Sequence, residues 1–146
     1  MIDRDARNRL AELIRGLVSG LITNDQFEEA IPRSGDAAIG EVYIKGAWFL
    51  FDDFREHKLS GKYSLSKDDK SVTARWVLFL KTDIEYEWPS PSFKERFLHF
   101  VSLGMLGKST RKLWTVTGNV AYWPFLNEAQ LVEARQGTGY LGNKNT

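Results

Sequence analysis

Apolar positions recur at helical spacing through most of the chain. Leu10, Leu13, Ile14, Leu17, Val18 and Leu21 follow the i, i+3, i+4, i+7 pattern, with Arg4, Arg7, Arg9, Glu12 and Arg15 between them. This spacing predicts an amphipathic helix over 3–21, opened by Asp3 or Asp5 and stopped near Gly20. Thr23-Asn24-Asp25-Gln26 has the form of a capping box, in which the Thr hydroxyl accepts from the Gln26 N–H and Gln26 reaches back. It predicts a short helix that turns Phe27, Ala30 and Ile31 inward and stops before Pro32. Asp36 predicts the cap of a long helix over 37–56. Ile39, Val42, Tyr43, Gly46, Phe49, Leu50 and Phe54 line one side of it, and Trp48 and Phe51 widen the apolar arc. On this pattern the helix is the most buried one, and Phe49 is a core ring. Ser66 predicts a further cap, for a helix over 67–82 with Val72, Trp76, Phe79 and Leu80 inward.

The pattern then changes. Asp83-Ile84-Glu85-Tyr86-Glu87-Trp88 alternates polar with apolar and predicts a short strand, closed by Pro89 and Pro91. Phe93, Phe97, Leu98, Phe100, Val101 and Leu103 predict a helix over about 92–104. Lys112 to Val116 and Asn119 to Trp123 are β-prone and separated by Thr117-Gly118, which predicts a hairpin packed on the helices. Asn127 opens a last helix that ends near Arg135. The tail, 137–146, is rich in Gly, Asn and Thr and reads as flexible. The predicted fold class is α+β and mostly helical: one small domain over 1–146 with one short β-hairpin.

Composition narrows the function classes. The chain has 146 residues, enough for one core. Aromatic residues make up 13%, including five Trp and nine Phe, so either the core is ring-rich or a surface is sticky. There is no cysteine, which removes thiolate chemistry, disulfides and Cys-ligated metal sites. The first residues lack the apolar core of a signal peptide, and no apolar run approaches the ~20 residues of a membrane span. A cytoplasmic protein without a membrane partner is expected. Twenty basic residues face nineteen acidic ones, a net charge of +1. So balanced a chain has no global field for a polyanion, and a nucleic-acid partner is not expected.

Four constellations offer chemistry. Gly107-Lys108-Ser109 matches the end of a phosphate-binding loop, but Ser102 stands where that motif needs its first glycine. A glycine-based helix stop accounts for it, and no cofactor is predicted. Asp52, Asp53, Glu56 and His57 form the densest set of potential metal or acid–base groups. On a helix, Asp53 would share a face with Glu56 and His57. Asp83, Glu85 and Glu87 would form an acidic row on one face of a strand, with Ile84, Tyr86 and Trp88 opposite. Arg4, Arg7 and Arg9, and separately Lys108, Arg111 and Lys112 beside Trp114, are local basic groups. Of the two histidines, His99 belongs to an apolar helix face. Tyr122-Trp123-Pro124-Phe125 reads as a core plug.

Phe51-Asp52-Asp53-Phe54-Arg55-Glu56-His57, Tyr86-Glu87-Trp88-Pro89 and Trp123-Pro124-Phe125 resemble segments of short, uncharacterised bacterial proteins. The resemblance implies a bacterial origin and brings no activity with it. The absence of enzyme motifs and the surplus of aromatics near acids point to a non-enzymatic protein-binding or regulatory module, of the immunity or adaptor kind. Its expected contact residues are Asp83, Glu85, Glu87 and Trp88. The alternative is a small metal-dependent or acid–base enzyme built on Asp52, Asp53, Glu56 and His57.

Overall fold

The computed structural model describes residues 1–88 and 119–137. The predicted helix over 92–104, His99, the Gly107-Lys108-Ser109 loop, the basic group around Trp114, the first half of the hairpin and the tail from 138 onward lie outside the described residues. The chain divides into two compact units. One comprises Met1–Glu85 together with the chain from Ala134, and the other Tyr86–Glu133.

In the first unit α1 spans Arg4–Val18, α2 Asn24–Ala30, α3 Ala37–Lys45 and α4 Lys67–Leu80. Each begins at a polar cap that the sequence announces. Asp3 accepts from Ala6 N–H, Thr23 and Gln26 complete the capping box, Asp36 accepts from Ala38 N–H, and Ser66 accepts from Asp69 N–H. Such caps satisfy N–H groups that the first helical turn leaves without partners. α1 ends just before Gly20, whose φ of 74° lies in the left-handed region that glycine enters without strain. α1 packs along α4 and also touches α2 and α3. Leu10, Ile14, Leu17, Phe27, Val42, Phe79 and Leu80 are buried in the core.

The long helix predicted over 37–56 is not formed. α3 stops at Lys45, a single 3₁₀ turn follows over Ala47–Leu50, and 51–60 is irregular. The cause is Gly46, with φ −121° and ψ −79°. A Cβ there would lie 2.7 Å from the Val42 carbonyl oxygen and 3.1 Å from the Trp76 ring. The chain turns at the one residue that lets it pass the indole. This changes the phase of everything downstream: Phe49 is 78% exposed and Phe54 94% exposed, so neither is a core ring.

The predicted β structure is absent among the described residues, which are 61% helical with no strand. The fold there is all-α rather than α+β with a hairpin. Asn119 to Trp123, read as the second hairpin strand, contains a 3₁₀ turn over Val120–Tyr122. The Asn119 side chain accepts from Ala121 N–H, a local bond that competes with strand pairing. Pro124, next in line, has no N–H to give a ladder. Residues 83–88 form no strand either. The guanidinium of Arg7 takes the carbonyls of Thr82 and Ile84 at 3.2 and 2.8 Å. Those bonds occupy acceptors that a neighbouring strand would need. The strand's alternation survives as exposure: Asp83, Glu85 and Glu87 face water, Ile84 and Tyr86 are half-buried, and Trp88 is buried.

In the second unit the bulky run reads as expected, with Trp123, Pro124 and Phe125 buried. Trp88 Nε1–H donates to the Phe125 carbonyl at 3.3 Å, and Trp123 Nε1–H to the Tyr86 hydroxyl at 3.1 Å. Both indoles thus place their one polar group on a partner. A last helix, α5, covers Glu128–Gly137, beginning in this unit and ending, from Ala134, in the first. The Asn127 side chain accepts from Gln130 N–H at its start.

Candidate protein-binding surface

Four aromatic rings of the first unit pass from core to surface. Phe27 is fully buried. It touches Phe51, with ring centroids 6.1 Å apart, and Tyr43, at 6.2 Å; Tyr43 in turn touches Trp48 at 5.7 Å. All three contacts are tilted or edge-on, the arrangement that ring quadrupoles favour. Trp48 ends the chain at 45% exposure, and Ile44, Phe49 and Phe54 are exposed on the same stretch. Four large apolar side chains exposed within eleven residues of chain are a candidate interaction surface.

Carboxylates accompany these rings. The Tyr43 hydroxyl donates to Glu28 Oε1 at 3.2 Å. Burial first, and then the negative charges of Glu28 and Asp53, push its phenol up to about 12. Tyr43 is therefore a neutral donor throughout the physiological range.

The loop that carries Phe54 is held by Asn24. This side chain donates to the Asp52 and Arg55 carbonyls, both at 3.2 Å, and accepts from His57 N–H at 2.8 Å. Asn24 N–H donates to the His57 carbonyl at 3.0 Å, beside an isolated antiparallel bridge between Thr23 and Lys58.

Asp52, Asp53, Glu56 and His57 lie on this loop rather than on a helix, so they do not share the face that helical spacing would give. Asp52 Oδ1 accepts from Phe54 N–H at 2.7 Å, and Glu56 Oε1 accepts from the Thr23 hydroxyl at 2.7 Å. His57 Nδ1 lies 2.8 Å from the Arg55 carbonyl, which requires its proton on that nitrogen. The imidazole packs against the Tyr63 ring in a tilted arrangement, with centroids 4.6 Å apart. No group of three or more such side chains is placed to hold a metal among the described residues.

Asp83 pairs with Arg4 at 3.3 Å and Glu85 with the Met1 amino group at 3.3 Å. Glu87 is exposed, while Trp88 is packed inside the second unit. Arg4 and Arg7 are turned inward: Arg4 donates to the Leu80 carbonyl at 3.1 Å, and Arg7 is fully buried. Of the first basic group only Arg9 is exposed. A groove of about 330 Å³ lies between α1 and α4, with Ile14, Val18 and Val77 as its apolar wall and Arg15 and Lys70 at its edge. Its size is at the low end for small-molecule sites, and no acid–base pair faces it.

Sequence reasoning placed Trp48, Phe49 and Phe54 in the core and so missed this surface. A glycine at 46 was the one local hint, and the contact with Trp76 that makes it a turn is not visible in the sequence. No family model, curated protein or solved structure matches the chain. Among the described residues no helix is long and apolar enough to cross a membrane.

Proposed function

We propose that the protein is a non-enzymatic protein-binding module, acting as a regulator or adaptor. One observation carries the reading: Trp48, Phe49 and Phe54 are exposed at 45%, 78% and 94%, and the loop that carries Phe54 is held from within by Asn24. Aromatic side chains anchor protein interfaces because they bury much area at little entropic cost, and the Asn24 bonds reduce the ordering that binding would require. The acidic segment 83–87 is a weaker contact surface. Asp83 and Glu85 already face cations of the chain itself, so a partner would relieve little repulsion there.

The test is affinity purification from cells of the native source with the wild type and a Trp48→Ala/Phe49→Ala/Phe54→Ala variant, followed by reconstitution with the purified partner. The expected result is a partner that binds the wild type directly and is lost with the triple variant, while Glu85→Lys retains it. Equal binding by the triple variant removes the reading.

A further inference from the structure

We infer that the partner presents a basic segment, and that Trp48 and Tyr43, flanked by Glu28 and Asp53, receive one of its Arg or Lys side chains. This inference rests on the protein-binding reading above and adds the chemistry of what is bound. Three observations support it. First, charge is segregated along the chain. Between Leu21 and His57 eight carboxylates stand against three cations, in a protein whose net charge is only +1. Two of the eight carboxylates are buried and paired, Asp36 with Arg7 and Glu41 with Lys45, which leaves six against Arg33 and Arg55. Second, the exposed rings lie within this acidic stretch. Trp48 offers a half-exposed indole at 5.7 Å from the Tyr43 ring, and the Tyr43 hydroxyl is bonded to Glu28. A ring pair with carboxylates at its Tyr43 end is an environment that attracts a guanidinium or ammonium by ring quadrupole and by charge together. Third, the same acidity repels phosphate. A nucleic acid or an anionic membrane would meet like charge at this surface, whereas a basic protein segment gains association rate and orientation from it.

The probe is a short synthetic peptide alternating Arg with Leu, with Gln–Leu and Glu–Leu peptides of the same length as controls. Binding is read by calorimetry and by the Trp48 indole N–H in NMR spectra of the full chain. The Arg–Leu peptide is expected to bind about tenfold or more tighter than the Gln–Leu peptide, and added salt should weaken it steeply. Trp48→Ala, and separately Glu28→Gln with Asp53→Asn, should each weaken it about tenfold, the loss expected for a cation–π contact or a desolvated charge pair. Unchanged circular dichroism melts would show that these surface variants remain folded. A Gln–Leu peptide that binds equally well and still needs Trp48 overturns the basic partner and leaves the protein-binding reading standing. No binding by any peptide at low salt overturns the inference and takes this surface away from peptides altogether. Trp48-dependent binding of a single-stranded oligonucleotide, or a dimer in sedimentation that Trp48→Ala dissociates, assigns the surface to a different occupant and overturns it as well.

Discussion

The Arg7 guanidinium and the Asp36 carboxylate meet through two bonds, Nε to Oδ2 at 2.6 Å and Nη2 to Oδ1 at 3.1 Å, with side chains 0% and 2% exposed. The pair joins three elements. Arg7 stands on α1, Asp36 caps α3, and the remaining Arg7 donors reach the carbonyls that follow α4. The Phe79 ring lies 5.4 Å from the guanidinium carbon. Removing one partner leaves the other charge buried, which costs about 3–5 kcal/mol. Asp36→Asn and Arg7→Met should each lower stability by about that amount in urea unfolding. The double variant should lose less than the sum of the two, because neither charge is then stranded. Strict additivity would show that the two groups do not act as a pair.

Acid should unfold the protein through the same carboxylate. Burial alone would raise the Asp36 pKa, but the bonds from Arg7 and from the Asp3 and Ala38 N–H groups outweigh it and hold the carboxyl below its ordinary 3.8. Asp3, bonded by Ala6 N–H and the Ser34 hydroxyl, and Glu12, bonded by Lys81, are lowered as well. A carboxyl whose pKa is lower in the folded state contributes stability above its unfolded pKa and loses it as pH falls through the folded one. Stability should therefore be level near neutrality and decline below about pH 4, the unfolded carboxylate range. In Asp36→Asn that decline should be shallower, and an unchanged acid limb would remove Asp36 from the account.

Gly46→Ala tests why α3 stops. Its Cβ would sit 2.7 Å from the Val42 carbonyl oxygen, closer than real contacts allow, and 3.1 Å from the Trp76 ring, which would have to give way. Forced repacking of this kind costs about 1–3 kcal/mol. Thermal unfolding should register that loss, and the Trp48 and Phe49 environments should change in NMR spectra because the turn that follows is displaced. A neutral or stabilising effect would mean that the helix can continue through this position.

What the sequence discloses here depends on the range of the signal. Caps at Asp3, Thr23, Asp36 and Ser66 were legible because each is a local contest between a side-chain oxygen and water for the first N–H groups. The end of α3 was not. Apolar periodicity runs unbroken through Gly46 to Phe54, and only the approach of Trp76, thirty residues on, decides that the chain must turn. The buried Arg7 was illegible for the same reason. On a helical wheel it is one more cation among solvated ones, and its acceptors at Thr82 and Ile84 come from the far end of α4. Strand-like alternation at 83–88 was read correctly as a pattern of exposure and wrongly as a strand, because a strand also needs a neighbour to pair with.

Two phenylalanines separate core from surface. Phe27 is fully buried and touches two other rings, while Phe49 is 78% exposed. Phe27→Ala should cost about 3–5 kcal/mol, the usual range for a truncated core ring. Phe49→Ala should stay within about 0.5 kcal/mol, as surface changes do, although it removes the larger contact area for a partner. Equal losses would return Phe49 to the core and take one of its three aromatic anchors from the proposed surface.

Asn24 makes the most specific prediction. It is 1% exposed, and its amide is the internal support of the loop that carries Phe54. Both of its donors go to carbonyls of that loop, Asp52 and Arg55, and its oxygen takes the His57 N–H. Asn24→Ala takes the partner from the Asp52 carbonyl and the His57 N–H, while the Arg55 carbonyl keeps the His57 Nδ1–H, at about 1–3 kcal/mol for a buried group left unmade. Asn24→Asp should be worse than its near-identical shape suggests, because a carboxylate would face the Asp52 and Arg55 carbonyls with no hydrogen to offer. The loss should be local first. Hydrogen exchange should quicken over 52–57 while the inner turns of α4 keep their protection, since a loop can open without the core. If partner capture depends on a preformed aromatic loop, Asn24→Ala should weaken it with Phe54 still in place, by raising the entropy that binding must remove. Slow exchange over 52–57 in Asn24→Ala would show that the loop holds its shape by other means.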